Sequence, residues 1–115
     1  MSDHYFEIGY FQLENLLLNQ VQFYFFDISG YKFTERDEPL KSMLKNTTAL
    51  EPSDIAPYLK EKGEEPSVPI VIMCEDGVIS QRWAQKLGES GFLNVNVIEG
   101  GVQSLAEEAQ SLTHG

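Results

Sequence analysis

A chain of 115 residues carrying 18 acidic against 8 basic side chains, a net charge of −10, has the length of one globular domain. An apolar share of 42% is enough for a packed core and excludes a disordered chain. The acidity argues against nucleic acid and anionic lipid as partners, since both reward basic surfaces, and leaves a basic protein partner compatible.

The first element is a short amphipathic helix over 12–18, with Leu13, Leu16 and Leu17 on one side. Gln22-Phe23-Tyr24-Phe25-Phe26-Asp27 is an aromatic run that ends in an acid and leads into Ser29-Gly30. That reads as a buried strand with a loop at its carboxyl end. The polar stretch 30–52 carries no clear period. Ser53 or Asp54 is placed to cap a helix running to about Lys62, with Pro57 in its first turn and Gly63 as its stop.

Pro69-Ile70-Val71-Ile72-Met73 is the strongest strand of the chain, apolar on both faces. A helix over 80–90 follows, with Trp83, Ala84 and Leu87 on one face and Gly91 ending it. Asn94-Val95-Asn96-Val97-Ile98 is the next strand, closed by Glu99-Gly100-Gly101. Val102, Leu105, Ala106, Ala109 and Leu112 then mark a last helix. Alternation of strand and helix predicts an α/β fold with a mainly parallel central sheet and helices on both faces. One domain over 1–115, with its core in 4–112 and short tails, accommodates all of these elements.

No stretch approaches the roughly 20 apolar residues that span a bilayer. Met1-Ser2-Asp3-His4 has no basic region leading into an apolar run, so no signal peptide is expected. A single cysteine, Cys74, excludes an internal disulfide and a CxxC pair, and points to a reducing compartment, the cytoplasm. His4 and His114 stand at the two ends without the spacing of metal ligands. No metal or cofactor is expected.

Ligands of open parallel sheets bind beyond the carboxyl ends of the strands, and Cys74 is the first residue after the strongest strand. The loop Cys74-Glu75-Asp76-Gly77-Val78-Ile79-Ser80 leads into a helix, whose amino end and convergent amides favour an anion such as a thiolate or persulfide. Gly77 permits a left-handed turn there. This geometry makes Cys74 a nucleophile reachable from solvent, in place of the buried small hydrophobe that a strand-end cysteine otherwise is. A cysteine phosphatase is excluded, because its phosphate-gripping arginine belongs six positions on, where Ser80 stands. Asp27, at another strand's carboxyl end, either faces the site or caps its own loop.

The run from Pro69 to Ser80, the segment Gly91-Phe92-Leu93-Asn94-Val95, and Ile98-Glu99-Gly100-Gly101 together resemble the active-site strand, loop, next strand and Gly-Gly turn of the rhodanese family. Phe23 to Ile28 is similar to the family strand ending in Asp-Val-Arg, with Ser29 in place of the arginine. The resemblance implies a sulfurtransferase in which Cys74 takes sulfane sulfur from thiosulfate or a related small donor. The sulfur then passes to a thiol or cyanide, a protein acceptor being a further candidate. It also implies that the amides of Glu75 to Ser80 cradle the persulfide.

This loop departs from the family pattern in lacking a basic residue, with Ile79 where a basic residue or threonine is common and with Glu75 and Asp76 where many family loops carry a further base. At about 6 Å and an effective dielectric near 20, each carboxylate opposes an anionic donor by about 2–3 kcal/mol before screening. The alternative reading is therefore a catalytically weak or inactive rhodanese-fold binding or regulatory module.

Overall fold

Local sequence marks three of the four described strands of this chain, and pairing makes the fourth. In the computed structural model, which describes residues 5–19, 22–31, 41, 48 and 50–114, the sheet is built from β1 (Phe6–Ile8), β2 (Tyr24–Asp27), β3 (Ile70–Met73) and β4 (Val95–Ile98). The order is β1-β4-β3-β2 and every pairing is parallel. β3 lies between two neighbours, Ile70 opposite Tyr24 on one side and Val95 on the other, and all four of its residues are buried. Its unbroken β-branched and apolar sequence is what such a doubly covered position requires.

Four helices lie wholly within the described residues: α1 (Tyr10–Leu18), α2 (Ile55–Glu61), α3 (Val78–Glu89) and α4 (Gly101–His114). Strand alternation divides the core in two. Val71 and Met73 pack with Leu13 of α1 and with Val102, Leu105 and Ala109 of α4. Ile70 and Ile72 point the other way, onto Ile55 and Leu59 of α2 and Ala84 and Leu87 of α3. The predicted helix-covered parallel sheet is thus present, with one helix pair on each face.

Four details differ from the sequence reading. β1 was not expected: three residues carry little periodic signal, and its strand character comes from pairing with β4, Phe6 opposite Asn96 and Ile8 opposite Ile98. α1 starts two residues early, where the Gly9 amide donates to Gln12 Oε1 at 3.0 Å. Asp54 makes no side-chain cap on α2; a 3-10 turn over Pro52–Asp54 leads in instead. α3 also starts early, at Val78, for a reason that belongs to the site.

Most of 30–52 lies outside the described residues. Within it Thr48 adds to the free edge of β2, its N–H donating to the Phe25 carbonyl at 2.8 Å and its carbonyl accepting from Asp27 N–H at 3.3 Å. His4 and the side chains of Leu112 and His114 also lie outside what is described. Among the described residues, no helix is long and apolar enough to cross a membrane.

Candidate active site

Three successive carbonyls fix the backbone at the carboxyl end of β3. Met73 accepts from Ile28 N–H at 2.8 Å, Cys74 from Val102 N–H at 2.8 Å, and Glu75 from Gln103 N–H at 3.3 Å. The cysteine is thereby held between the loop after β2 and the first turn of α4. Gly101 makes this approach possible. With φ of +68°, it sits where a Cβ would fall 2.5 Å from the Cys74 carbonyl oxygen.

The Cys74 sulfur turns toward the head of α3. Gly77 N–H donates to Sγ at 3.0 Å and Ser80 N–H at 3.4 Å. First-turn amides of a helix have no partners within the helix, so the sulfur and the Asp76 carboxylate, which accepts from Val78 N–H at 3.0 Å, act as its caps. These bonds account for the start of α3 at Val78. Gly77 takes φ of +91°, and a Cβ there would meet the Gly100 amide nitrogen at 3.0 Å.

Of the amides expected around the sulfur, those of Gly77 and Ser80 reach it, while that of Val78 turns to Asp76. Sγ lies 4.0 Å from Asp76 Oδ1. Glu75 and Asp76 are exposed, as are Val78 and Ile79, the last at 55%. Ser80 is fully buried, and its hydroxyl has no hydrogen-bond partner among the described residues.

One expectation is corrected. The Cys74 residue is only 2% exposed, so the resting thiol is not open to solvent. The cause is the tightness of the loop, which folds the sulfur back onto its own helix while the Gly100–Gly101 turn closes on its carbonyl side. Asp27 acts as a loop cap: its Oδ1 accepts from Ser29 N–H at 2.9 Å and from Ser29 Oγ–H at 2.6 Å. The same residue also lines a cavity of about 440 Å³ with Leu50, Glu51 and Pro52. Among the described residues, no three His, Cys, Asp or Glu side chains converge as metal ligands.

A second cavity, of about 530 Å³, opens beside Glu75. Ser29, Gly30 and Tyr31 wall one side, and Val102, Gln103, Ala106 and Glu107 of α4 the other. Apart from Glu75, sequence reasoning assigned none of these a part in the site. The Gly100-Gly101 pair was visible, but it marks a turn in any fold; its packing against Cys74 is a tertiary fact.

Solved structures similar to this chain include three that match over 90–95% of it. A polysulfide-sulfur transferase homodimer from Wolinella succinogenes matches with a TM-score of 0.61 at 19% identity, over 91% of this chain and 75% of its own. Reduced CoADR-RHD from Bacillus anthracis matches with 0.60 at 18% identity, over 95% of this chain and 18% of its own. A rhodanese homolog from Thermus thermophilus matches with 0.51 at 20% identity, over 90% of this chain and 99% of its own.

The fold is rhodanese-like.

No family model and no curated protein matches the sequence. At these identities, the likeness establishes the rhodanese-like fold and leaves the chemistry to be argued from the site itself.

Proposed function

We propose that this chain is a cofactor-free sulfurtransferase domain, carrying sulfane sulfur as a persulfide on Cys74. The observation that carries this reading is the pair of amides from Gly77 and Ser80 aimed at Sγ from the head of α3. A neutral thiol gains little from two such donors. A thiolate or persulfide gains charge-assisted hydrogen bonds and the favourable end of a helix dipole.

In the first half-reaction the Cys74 thiolate attacks the outer sulfur of thiosulfate or a related donor. The donor's S–S bond breaks, and sulfite, in the case of thiosulfate, leaves with the electron pair. In the second, cyanide or a thiolate attacks the outer sulfur of the persulfide and Cys74 leaves as thiolate. No external oxidant or reductant is consumed, and the reducing cytoplasm suits a lone working thiol.

A second reading, a binding module that no longer turns over sulfur, draws on the 2% exposure of Cys74. One experiment separates the two. The protein is incubated with thiosulfate, polysulfide and other sulfane donors, and its intact mass is measured. Gain of one sulfur atom that is absent from Cys74→Ser is the expected result. No gain with any donor leaves the binding module.

A further inference from the structure

The loop that wraps the Cys74 sulfur has a polar base and a rim of a different character. At the base, the amides of Gly77 and Ser80 converge on Sγ. At the rim, the Asp76 carboxylate stands 4.0 Å from Sγ, and the Val78 N–H fixes it there at 3.0 Å. That bond also uses up the Val78 amide, which an oxyanion would otherwise claim. The side chains that follow are apolar and outward, Val78 60% and Ile79 55% exposed on the first turn of α3.

A donor presents its outer sulfur to Sγ nearly in line with the S–S bond that breaks. Its leaving group therefore lies beyond that sulfur, against the exposed side chains of the loop. Thiosulfate puts a doubly charged sulfonate there, which Asp76 repels and which Val78 and Ile79 strip of water without replacing its hydrogen bonds. A carbon group in the same place buries apolar surface on both side chains.

Resting on the sulfurtransferase reading, we infer that the donor is an organic sulfane compound with at most one negative charge. Its carbon group rests on Val78 and Ile79, and Asp76 and Ile79 together select it over thiosulfate. With an organic thiosulfonate, the Cys74 thiolate attacks the outer sulfur and the S–S bond breaks. The sulfinate leaves with the electron pair, and the persulfide anion stays on Cys74. No proton, oxidant or reductant is needed.

Thiosulfate, methanethiosulfonate and benzenethiosulfonate share the reacting bond and differ in charge or in apolar area. Initial loading of Cys74 is followed by intact mass at low donor concentration and low ionic strength. Each rate is divided by that donor's rate with 2-mercaptoethanol. Benzenethiosulfonate should then lead methanethiosulfonate about fivefold, from partial burial of its ring. Methanethiosulfonate should lead thiosulfate about threefold, from the one charge fewer beside an exposed carboxylate.

Val78→Ser combined with Ile79→Ser should cut the first lead to below about twofold. Asp76→Asn, which keeps an oxygen for the Val78 amide, should shrink the second, and so should high salt. These comparisons are ratios within one protein, so partial unfolding of a variant does not imitate them. If a variant fails to fold, the order of the three donors on the unaltered protein decides. Thiosulfate loading as fast as the organic donors, or leads that survive the substitutions, overturn the inference and leave the sulfurtransferase reading standing. Loading by none of the three removes both.

Discussion

Gly101 packs against the backbone of Cys74 so closely that a Cβ on it would stand 2.5 Å from the Cys74 carbonyl oxygen. Both the hydrogen bond from Val102 N–H to that carbonyl and the seat of the loop depend on this approach. Gly101→Ala adds the clash to the strain of a side chain at positive φ. It should destabilise the protein by at least about 2 kcal/mol. Urea unfolding measures the loss. A change below about 0.5 kcal/mol would mean that the turn is not held against the cysteine.

Burial of Cys74 sets an expectation for its reactivity. Iodoacetamide should label the folded protein to completion, but more than about tenfold slower than the urea-unfolded chain, because the loop must open first. Loop opening is local, so the native rate should change little in low urea. A labelling rate that instead tracks global unfolding would place the thiol permanently in the core and end its role as a sulfur carrier.

The parts of this fold that were readable in the sequence are those specified locally. β3 announces itself through Ile70-Val71-Ile72-Met73, and Gly63 and Gly91 follow α2 and α3 with positive φ as expected. β1 was unreadable because Phe6-Glu7-Ile8 becomes a strand only by pairing with β4, ninety residues on in the chain. At the site, Cys74 and its loop could be singled out from the strand-loop-helix order. The burial of the thiol, the division of amides between Sγ and Asp76, and the cavity wall from α4 could not. Each depends on how α4 docks against the loop, and the pattern of apolar residues fixes which face of α4 turns inward without fixing what its first turn touches.

Tyr10 gives a pH dependence with a defined sign. Burial first, then the charge and hydrogen bond of Glu14, raise its pKa above the ordinary 10.0. The fold therefore favours the protonated phenol, and the unfolded chain ionises first as pH rises. Stability from this group is intact below about pH 10 and is lost as pH climbs through the folded value. Urea midpoints at about pH 9 and about pH 11 should show a decline that Tyr10→Phe makes shallower. An equal decline in both proteins would assign the effect to other groups.

Glu75 and Asp76 should limit anionic donors unequally. Asp76 Oδ1 is 4.0 Å from the sulfur, whereas Glu75 faces the larger cavity. Replacing Asp76 by Asn keeps an oxygen for the Val78 amide while removing the charge. With Glu75→Gln added, loading of Cys74 from thiosulfate at low salt should rise about threefold to tenfold, and much less at high salt. No change at low ionic strength would show that neither charge is felt at the sulfur.

Ile79 tests the account of the loop most directly. Its side chain is 55% exposed on the first turn of α3, one residue before the amide that reaches Sγ. Isoleucine there offers an approaching thiosulfate neither charge nor hydrogen bond. Arginine has two parallel donors that match oxyanion geometry, and it offsets part of the charge of Glu75 and Asp76. Because the position is exposed, the substitution should leave thermal stability within about 0.5 kcal/mol, which removes unfolding as an explanation of the kinetics. Ile79→Arg should then lower the Michaelis constant for thiosulfate about threefold to tenfold, the worth of one partly screened charge-assisted contact. The turnover number should move less, since the arginine binds donor and transition state alike. Cys74→Ser should abolish turnover in either background. A stable Ile79→Arg protein with an unaltered thiosulfate response would mean that the donor does not enter past this turn. The approach would then have to come from the cavity side, between Tyr31 and α4, where Glu107 would replace Ile79 as the residue to change.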